Sequence, residues 1–163
     1  VTEVRPYRSE DRATLLALSL RSWEPVFSAL ESEVSSFVYE CFYPRGWRIR
    51  QEADLAKVLD REAGRIDVAV IDSQVVGWVC TRLHPEDDMG EVYVLAVDPD
   101  HQRQGIATAL MDRSFERIRD AGLRMAMVET GGDSGHAPSR STYEAAGFQR
   151  WPVARYFKDL MQN

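Results

Sequence analysis

Long apolar runs, paired cysteines and an excess of basic residues are all missing from this chain of 163 residues. No stretch approaches the roughly 20 apolar residues that span a bilayer, and the opening VTEVRPYRSED lacks the apolar core of a signal peptide. A cytoplasmic protein with no membrane partner is expected. Cys41 and Cys80 show neither CxxC spacing nor a neighbouring histidine cluster, so both are expected to be buried or half-buried free thiols, with no disulfide and no metal. A formal net charge of −6 argues against nucleic acid, whose phosphates need basic surface, and tolerates a cationic substrate. No Walker A loop is present, because no Lys-Ser/Thr pair follows Gly105, and the dinucleotide pattern GxGxxG is also absent.

What remains is an ordinary globular mixture, 44% apolar and 28% charged, of a length that suits one domain over 1–163. The order of elements can be read from periodicity and punctuation. A first strand is expected over Thr2–Tyr7 and a capped helix from Ser9 to Leu20. The aromatic-rich stretch 21–65 reads as one or two helices with a loop around Tyr43–Trp47, then a helix over Gln51–Glu62. Strands Asp67–Ile71 and Val75–Cys80 flank a short hairpin connection, and a loop from His84 to Gly90 leads to a strand over Glu91–Val97. Ile106–Asp120 has a clear amphipathic repeat closed by Gly122. A buried strand over Met125–Thr130, a glycine-rich loop, a helix over Ser139–Ala146 closed by Gly147 and a final strand over Val153–Leu160 complete the chain. Antiparallel strands followed by strand-helix-strand-helix-strand predict one mixed α/β sheet with helices on both faces.

The chemistry is concentrated at the junction Val94-Leu95-Ala96-Val97-Asp98-Pro99-Asp100-His101-Gln102-Arg103-Gln104-Gly105-Ile106-Ala107. An apolar strand breaks at proline and passes through a small-residue turn directly into a helix. Unpaired N–H groups and the positive helix end converge there, which suits an anionic phosphate. Alone this is weak, since many folds use small residues there for packing.

Three elements in order, Glu91-x-x-x-Leu95-x-Val97-x-Pro99, Gln102-x-x-Gly105-x-Ala107 and Tyr143-Glu144-Ala145-Ala146-Gly147-Phe148, together resemble the GCN5-related N-acetyltransferase (GNAT) family. The resemblance covers roughly residues 66–160 and implies that family's acyl-CoA N-acyltransferase fold, with acetyl-CoA as acyl donor. It implies that Gln102, Arg103, Gln104, Gly105, Ile106, Ala107 and Thr108 wrap the pyrophosphate, and that the backbone of Leu95, Ala96 and Val97 bonds the pantetheine arm. Tyr143 stands where the family keeps a hydroxyl that protonates the departing sulfur. His136 stands where many members have an asparagine that contacts the cofactor, so a cofactor contact through its ring or through the surrounding loop is expected. Gly147 and Phe148 are expected to be a helix cap and a core anchor.

An alkylammonium acceptor is mostly protonated at pH 7, and freeing its lone pair costs about 4 to 5 kcal/mol. Glu91 matches the family position of the base that takes this proton, with Glu86, Asp87 and Asp88 in the loop before it; the plain alternative is pairing of Glu91 with a neighbouring arginine. Residues 1–65 then form the acceptor side and 66–163 the acetyl-CoA-binding core. Trp23, Tyr39, Tyr43 and Trp47 either wall a pocket for an aromatic or cationic amine or simply pack onto the sheet. The expected function is acetyl transfer to a small-molecule amine. A protein lysine or N-terminal acetyltransferase and a non-catalytic acyl-CoA-binding module are the alternatives. The resemblance is also compatible with a homodimer, which no stretch of the sequence demonstrates.

Overall fold

The computed structural model describes residues 1–162. Five strands lie side by side in chain order: β1 (Glu3–Pro6), β2 (Ile66–Ile71), β3 (Gln74–His84), β4 (Met89–Val97) and β5 (Met125–Met127). The first four are antiparallel neighbours, and β5 joins β4 in parallel. A parallel pair needs a crossover, and helix α4 (Ile106–Asp120) supplies it. Three helices precede β2: α1 (Arg12–Glu33), α2 (Ser36–Phe42) and α3 (Trp47–Arg61); α5 (Ala137–Ala145) follows β5.

Strand alternation divides the core between two faces. Trp78, Cys80, Val94 and Ala96 meet Leu15 and Leu18 of α1 and Leu55, Val58 and Leu59 of α3. Val76, Val79, Val92 and Val97 meet Ile106 and Leu110 of α4. Polar ties fix both layers. The Trp78 indole N–H donates to the buried Ser19 hydroxyl at 2.8 Å, which seats α1 on β3. On the other face the wholly buried Asp67 accepts from Arg117 Nε and Nη2 at 2.5 and 3.0 Å, which seats α4 on β2.

Local signals were legible where they are self-contained. Helix α4 has the expected limits, and Gly122, at φ 74°, closes it with Gly122 N–H to Arg119 O and Leu123 N–H to Ile118 O. The β2–β3 hairpin turns on two left-handed residues, Asp72 and Ser73, whose twist suits a two-residue connection. The first strand and the helix after it are also present. However, Asp11 rather than Ser9 serves the entry: its buried carboxylate accepts from Arg8 N–H at 2.8 Å and from both Arg5 amino groups at 2.8 and 2.9 Å.

Four expectations need correction. The first helix runs on to Glu33 through Pro25, which costs an interior bond, because the turn beyond it buries Phe27 against Trp47 and Tyr43. The strand at 125–130 is only three residues long, and Met125 is exposed rather than buried. No strand forms at Val153–Leu160. Gln149–Leu160 has no regular element, and among the described residues no backbone hydrogen bond ties it to the rest of the chain. Three residues of β5 are a poor template for an eight-residue strand; instead Phe157 leans edge-on against Phe42 of α2, and Trp151, Val153, Tyr156 and Leu160 stay exposed. Finally, Cys80 is a buried free thiol as expected, whereas Cys41, on a helix without a buried residue, is exposed.

Candidate active site

Strand β4 is the backbone of the site. It pairs with β5 only through Met89–Glu91, so the outer edge of Val92–Val97 has no strand partner among the described residues. On its inner side Thr81 pairs with Val92 and Cys80 with Val94, leaving Tyr93 as a bulged residue. A bulge bends and twists its strand, and here it coincides with the departure from β5. Leu95, Ala96 and Val97 thus offer backbone groups along an open edge, while the Ala96 and Val97 side chains sit in the core.

The open edge runs into the turn that the sequence singled out. Asp98 accepts from Asp100 N–H at 3.0 Å, and Gln102 Nε2–H donates to Val97 O at 3.3 Å. Arg103 and Gly105 then take left-handed conformations, φ 59° and 79°, and α4 starts at Ile106. Alternating backbone handedness points successive N–H groups into one concavity. A Cβ at Gly105 would meet nothing within 4 Å, so the space above the turn is open to an incoming group. The first N–H groups of α4, at Ile106, Ala107 and Thr108, have no intrahelical acceptor. The Ile106 side chain is buried under the helix, so its part in the turn is confined to its backbone. Gln102, Arg103 and Gln104 are exposed. This arrangement fits a pyrophosphate.

Tyr143 lies on α5 and rests edge-on against Phe148 at 6.0 Å, which in turn meets Phe115 of α4 at 5.8 Å. Gly147 (φ 92°) ends the helix, with its N–H on Glu144 O and that of Phe148 on Tyr143 O. The cap therefore anchors the tyrosine. Burial pushes the Tyr143 hydroxyl above its ordinary value, which keeps it protonated near neutrality. His136 Nδ1 lies 2.6 Å from Asp133 Oδ1, and Arg140 ties the loop by donating to Gly131 O and Asp133 O at 2.7 Å.

A second cluster occupies the α1/α3 face of β3 and β4. Glu91 Oε2 lies 2.7 Å from His84 Nε2, and the His84 Nδ1 faces Glu86 at 3.6 Å. Thus Glu91 is paired with a histidine. The arginine opposite it in register, Arg82, binds Glu62 instead, at 2.7 Å through Nε and 2.5 Å through Nη2, and covers the Tyr93 ring at 3.3 Å. Arg82 holds the Glu62 carboxyl below the usual range, and the bond to Glu91 raises His84. Cys80, under this cluster, is pushed up to about 12 by burial, so it is no nucleophile. In the acidic loop Asp88 accepts from Arg124 N–H at 3.0 Å and serves to start β5.

Glu62, Arg82, His84 and Tyr93 were missed in the sequence. Alternation from Trp78 and Cys80 puts Arg82 and His84 on the α1/α3 face, but their partners follow only from the β3–β4 register. The aromatic residues of 21–65 pack as a cluster. Phe27 stacks on Trp47 at 4.6 Å and meets Tyr43 at 5.2 Å, while Tyr39 meets Tyr43 at 4.9 Å and Trp23 leans on the core. Arg48 covers Trp47, and Arg50 covers Phe42 and Tyr43, so these faces are already occupied by the chain's own cations.

With the open strand edge and the left-handed turn in place, comparison with known proteins is decisive. The profile of the acetyltransferase (GNAT) family matches residues 27–148. The chain belongs to the GNAT acetyltransferase family. Among curated relatives, a mycothiol acetyltransferase from Cellulomonas flavigena is 37% identical over 91 residues, 50% of this chain and 26% of the relative. The GNAT chain described here thus spans about a quarter of that relative's length. Its fold is that of a GNAT acetyltransferase structure from Desulfovibrio desulfuricans, at TM-score 0.69 and 21% identity over 94% of this chain and 88% of the other. An N-acetyltransferase from Thermoplasma acidophilum in complex with coenzyme A matches at TM-score 0.66 and 14% identity, over 94% and 93% of the two chains. No helix among the described residues is long and apolar enough to cross a membrane.

Proposed function

We propose that this GNAT chain is an acetyl-CoA-dependent N-acetyltransferase acting on a primary amine of a small molecule. The observation that carries it is the unpaired edge of β4 leading into the left-handed turn and the open N-terminus of α4. Acetyl-CoA supplies an acetyl group as a thioester. The backbone of Leu95, Ala96 and Val97 holds the amide-bearing arm as an added strand would be held. N–H groups from Gln102 to Thr108 take the pyrophosphate, with Arg103 adding a charged contact.

Glu91 accepts the proton that frees the amine lone pair, directly or through water, and the amine attacks without a covalent enzyme intermediate. Tyr143 delivers its proton to the departing sulfur. The Asp133–His136 loop shapes the arm's other wall. Residues 1–65 form the acceptor side and 66–163 the donor side. The relative named for mycothiol supports a small-molecule acceptor, and a cytoplasmic setting fits two unpaired cysteines. A homodimer belongs to this reading: the exposed Trp151, Val153 and Tyr156 are strand-forming side chains that a second copy would cover.

A thiol-release assay over a panel of amines and lysine peptides tests the proposal. Turnover on a small amine is expected. Turnover on peptides alone would make the chain a protein acetyltransferase, and coenzyme A binding without any turnover would make it a binding module.

A further inference from the structure

Glu91 has two candidate partners on β3, and the fold gives it the less obvious one. Arg82 is directly opposite in register, but Glu62 at the end of α3 takes its guanidinium and Tyr93 lies flat beneath it. His84, diagonal to Glu91 on the same sheet face, fills the vacancy at 2.7 Å. We propose that His84 is the positioning residue of the base: its Nε2–H holds Glu91 Oε2 and leaves Oε1 to receive the acceptor's proton. This rests on Glu91 being the base.

The choice of partner has a chemical consequence. A guanidinium stays charged at every working pH and would hold Glu91 as a weak base. Imidazole loses its charge near neutrality, yet a neutral ring with its proton on Nε2 still donates the same hydrogen bond. Glu91 therefore keeps its orientation whether or not the ring is charged. Both partners lie on paired strands, so the geometry is held by the ladder rather than by a loop. The charged groups facing His84 are Glu91 on β4, Glu86 in the turn after β3 and, beyond them, the neutralised Glu62–Arg82 pair. The hydrogen bond to Glu91, with the Glu91 and Glu86 charges, favours the protonated ring and raises its titration above the ordinary histidine value.

The proton count closes in each turnover. Glu91 Oε1 takes the ammonium proton that frees the lone pair and releases it to solvent. The same carboxylate takes the remaining N–H proton as the C–N bond forms, the sulfur takes the Tyr143 proton as the C–S bond breaks, and solvent returns the second Glu91 proton to Tyr143. His84 gives up no proton in this cycle, which is why it is a positioning residue and not a second base.

Two variants and one spectroscopic titration test this. His84→Ala should lower kcat on the order of 10- to 100-fold, the cost of a misplaced catalytic group, with the KM for acetyl-CoA unchanged. His84→Gln keeps an N–H donor that does not titrate, so it should recover most of kcat at pH 8 and move the acid limb of the kcat profile to lower pH. By NMR, the His84 titration should fall in Glu91→Gln. Wild-type kcat and pH profile in both His84 variants would overturn the proposal, as would equal impairment of both together with a lowered Tm, the mark of a structural role only. An unshifted His84 titration in Glu91→Gln would overturn it as well. Full activity of Glu91→Gln is a different failure: it removes Glu91 as the base, whatever the His84 variants do.

Discussion

Gly90→Ala is a one-methyl change that tests how α4 is seated. A Cβ built at Gly90 overlaps Ile118 Cγ1 and lies 2.6 Å from its Cδ1 and 3.1 Å from its Cβ. Ile118 is 3% exposed, and a β-branched side chain on a helix has essentially one χ1 rotamer, so it cannot swing aside. Either α4 or β4 must move. Overpacking of this kind costs about 1–3 kcal/mol, against roughly 0.5–1 kcal/mol returned by removing a strand glycine. A net loss of about 1–2 kcal/mol corresponds to a fall in Tm of roughly 2–8 °C for a chain of this size. Urea denaturation followed by circular dichroism should show a lower midpoint at unchanged m. The same shift displaces Glu91, the next residue, so kcat should fall with stability. Ile118→Ala alone should cost about 2–5 kcal/mol, and the double variant should be more stable than the sum of the two by about 0.5–3 kcal/mol, because the added methyl occupies the space that Ile118 leaves. Strict additivity, or a Gly90→Ala chain as stable as the parent, would refute the reasoning that close approach of Ile118 dictates the glycine.

Tyr143→Phe should lower kcat on the order of 100-fold while coenzyme A binding by calorimetry stays the same; an unchanged kcat would remove its role as acid. Arg5 holds the buried Asp11 carboxyl below its ordinary value, so that contribution to stability is present above the unfolded value near 3.9 and is lost as pH falls through the lower folded one. Asp11→Asn should therefore cost about 1.5–3 kcal/mol at pH 7, the worth of its charge-assisted hydrogen bonds, and thermal melts of parent and variant should converge as pH falls below the folded-state value. Sedimentation velocity should give the mass of a dimer, reduced to that of a monomer by Trp151→Lys with Tyr156→Lys; a parent that is monomeric throughout would remove the homodimer.

The boundary between what was and was not legible in the sequence follows the range of the interactions. The α4 repeat, the Gly122 and Gly147 caps and the presence of the β2–β3 hairpin depend on residues within one turn of chain and could be read directly, although the connection is Asp72-Ser73 and not the three residues Asp72-Ser73-Gln74, the last of which opens β3. Pro25 could not, since only the burial of Phe27 against Trp47, twenty residues away, carries the helix past it. The Val153–Leu160 alternation has strand character, but a strand needs a template, and β5 ends after three residues. The same division runs through the site. The turn after β4 is a backbone conformation written in Gln102–Gly105. The charged cluster is assembled from Glu62 on one side and Arg82, His84, Glu91 and Tyr93 across a bulged ladder, so a one-residue difference in register would rearrange every pair.

In the proposed reaction that assembled cluster makes a demand on the amine. Arg82 is the guanidinium that β3 and β4 carry, and Glu62 neutralises it; Glu86 and Glu91 remain, with a single imidazole between them. A second amine on the acceptor is attracted to this face, whereas a carboxylate next to the reacting amine meets Glu91 with Arg82 already taken. At about 4 Å, in the effective dielectric of a protein surface, such a like-charge approach costs up to about 4 kcal/mol before screening. Diamines and polyamines should therefore show higher kcat/KM than α-amino acids of similar size, by 10-fold or more if even ~1.4 kcal/mol of that difference survives. Raising the salt concentration should narrow the gap, because the contrast is electrostatic and partly exposed. A preference for α-amino acids that is insensitive to salt would mean that the acceptor binds away from the His84–Glu91 pair, and Glu91 would then have no amine within reach.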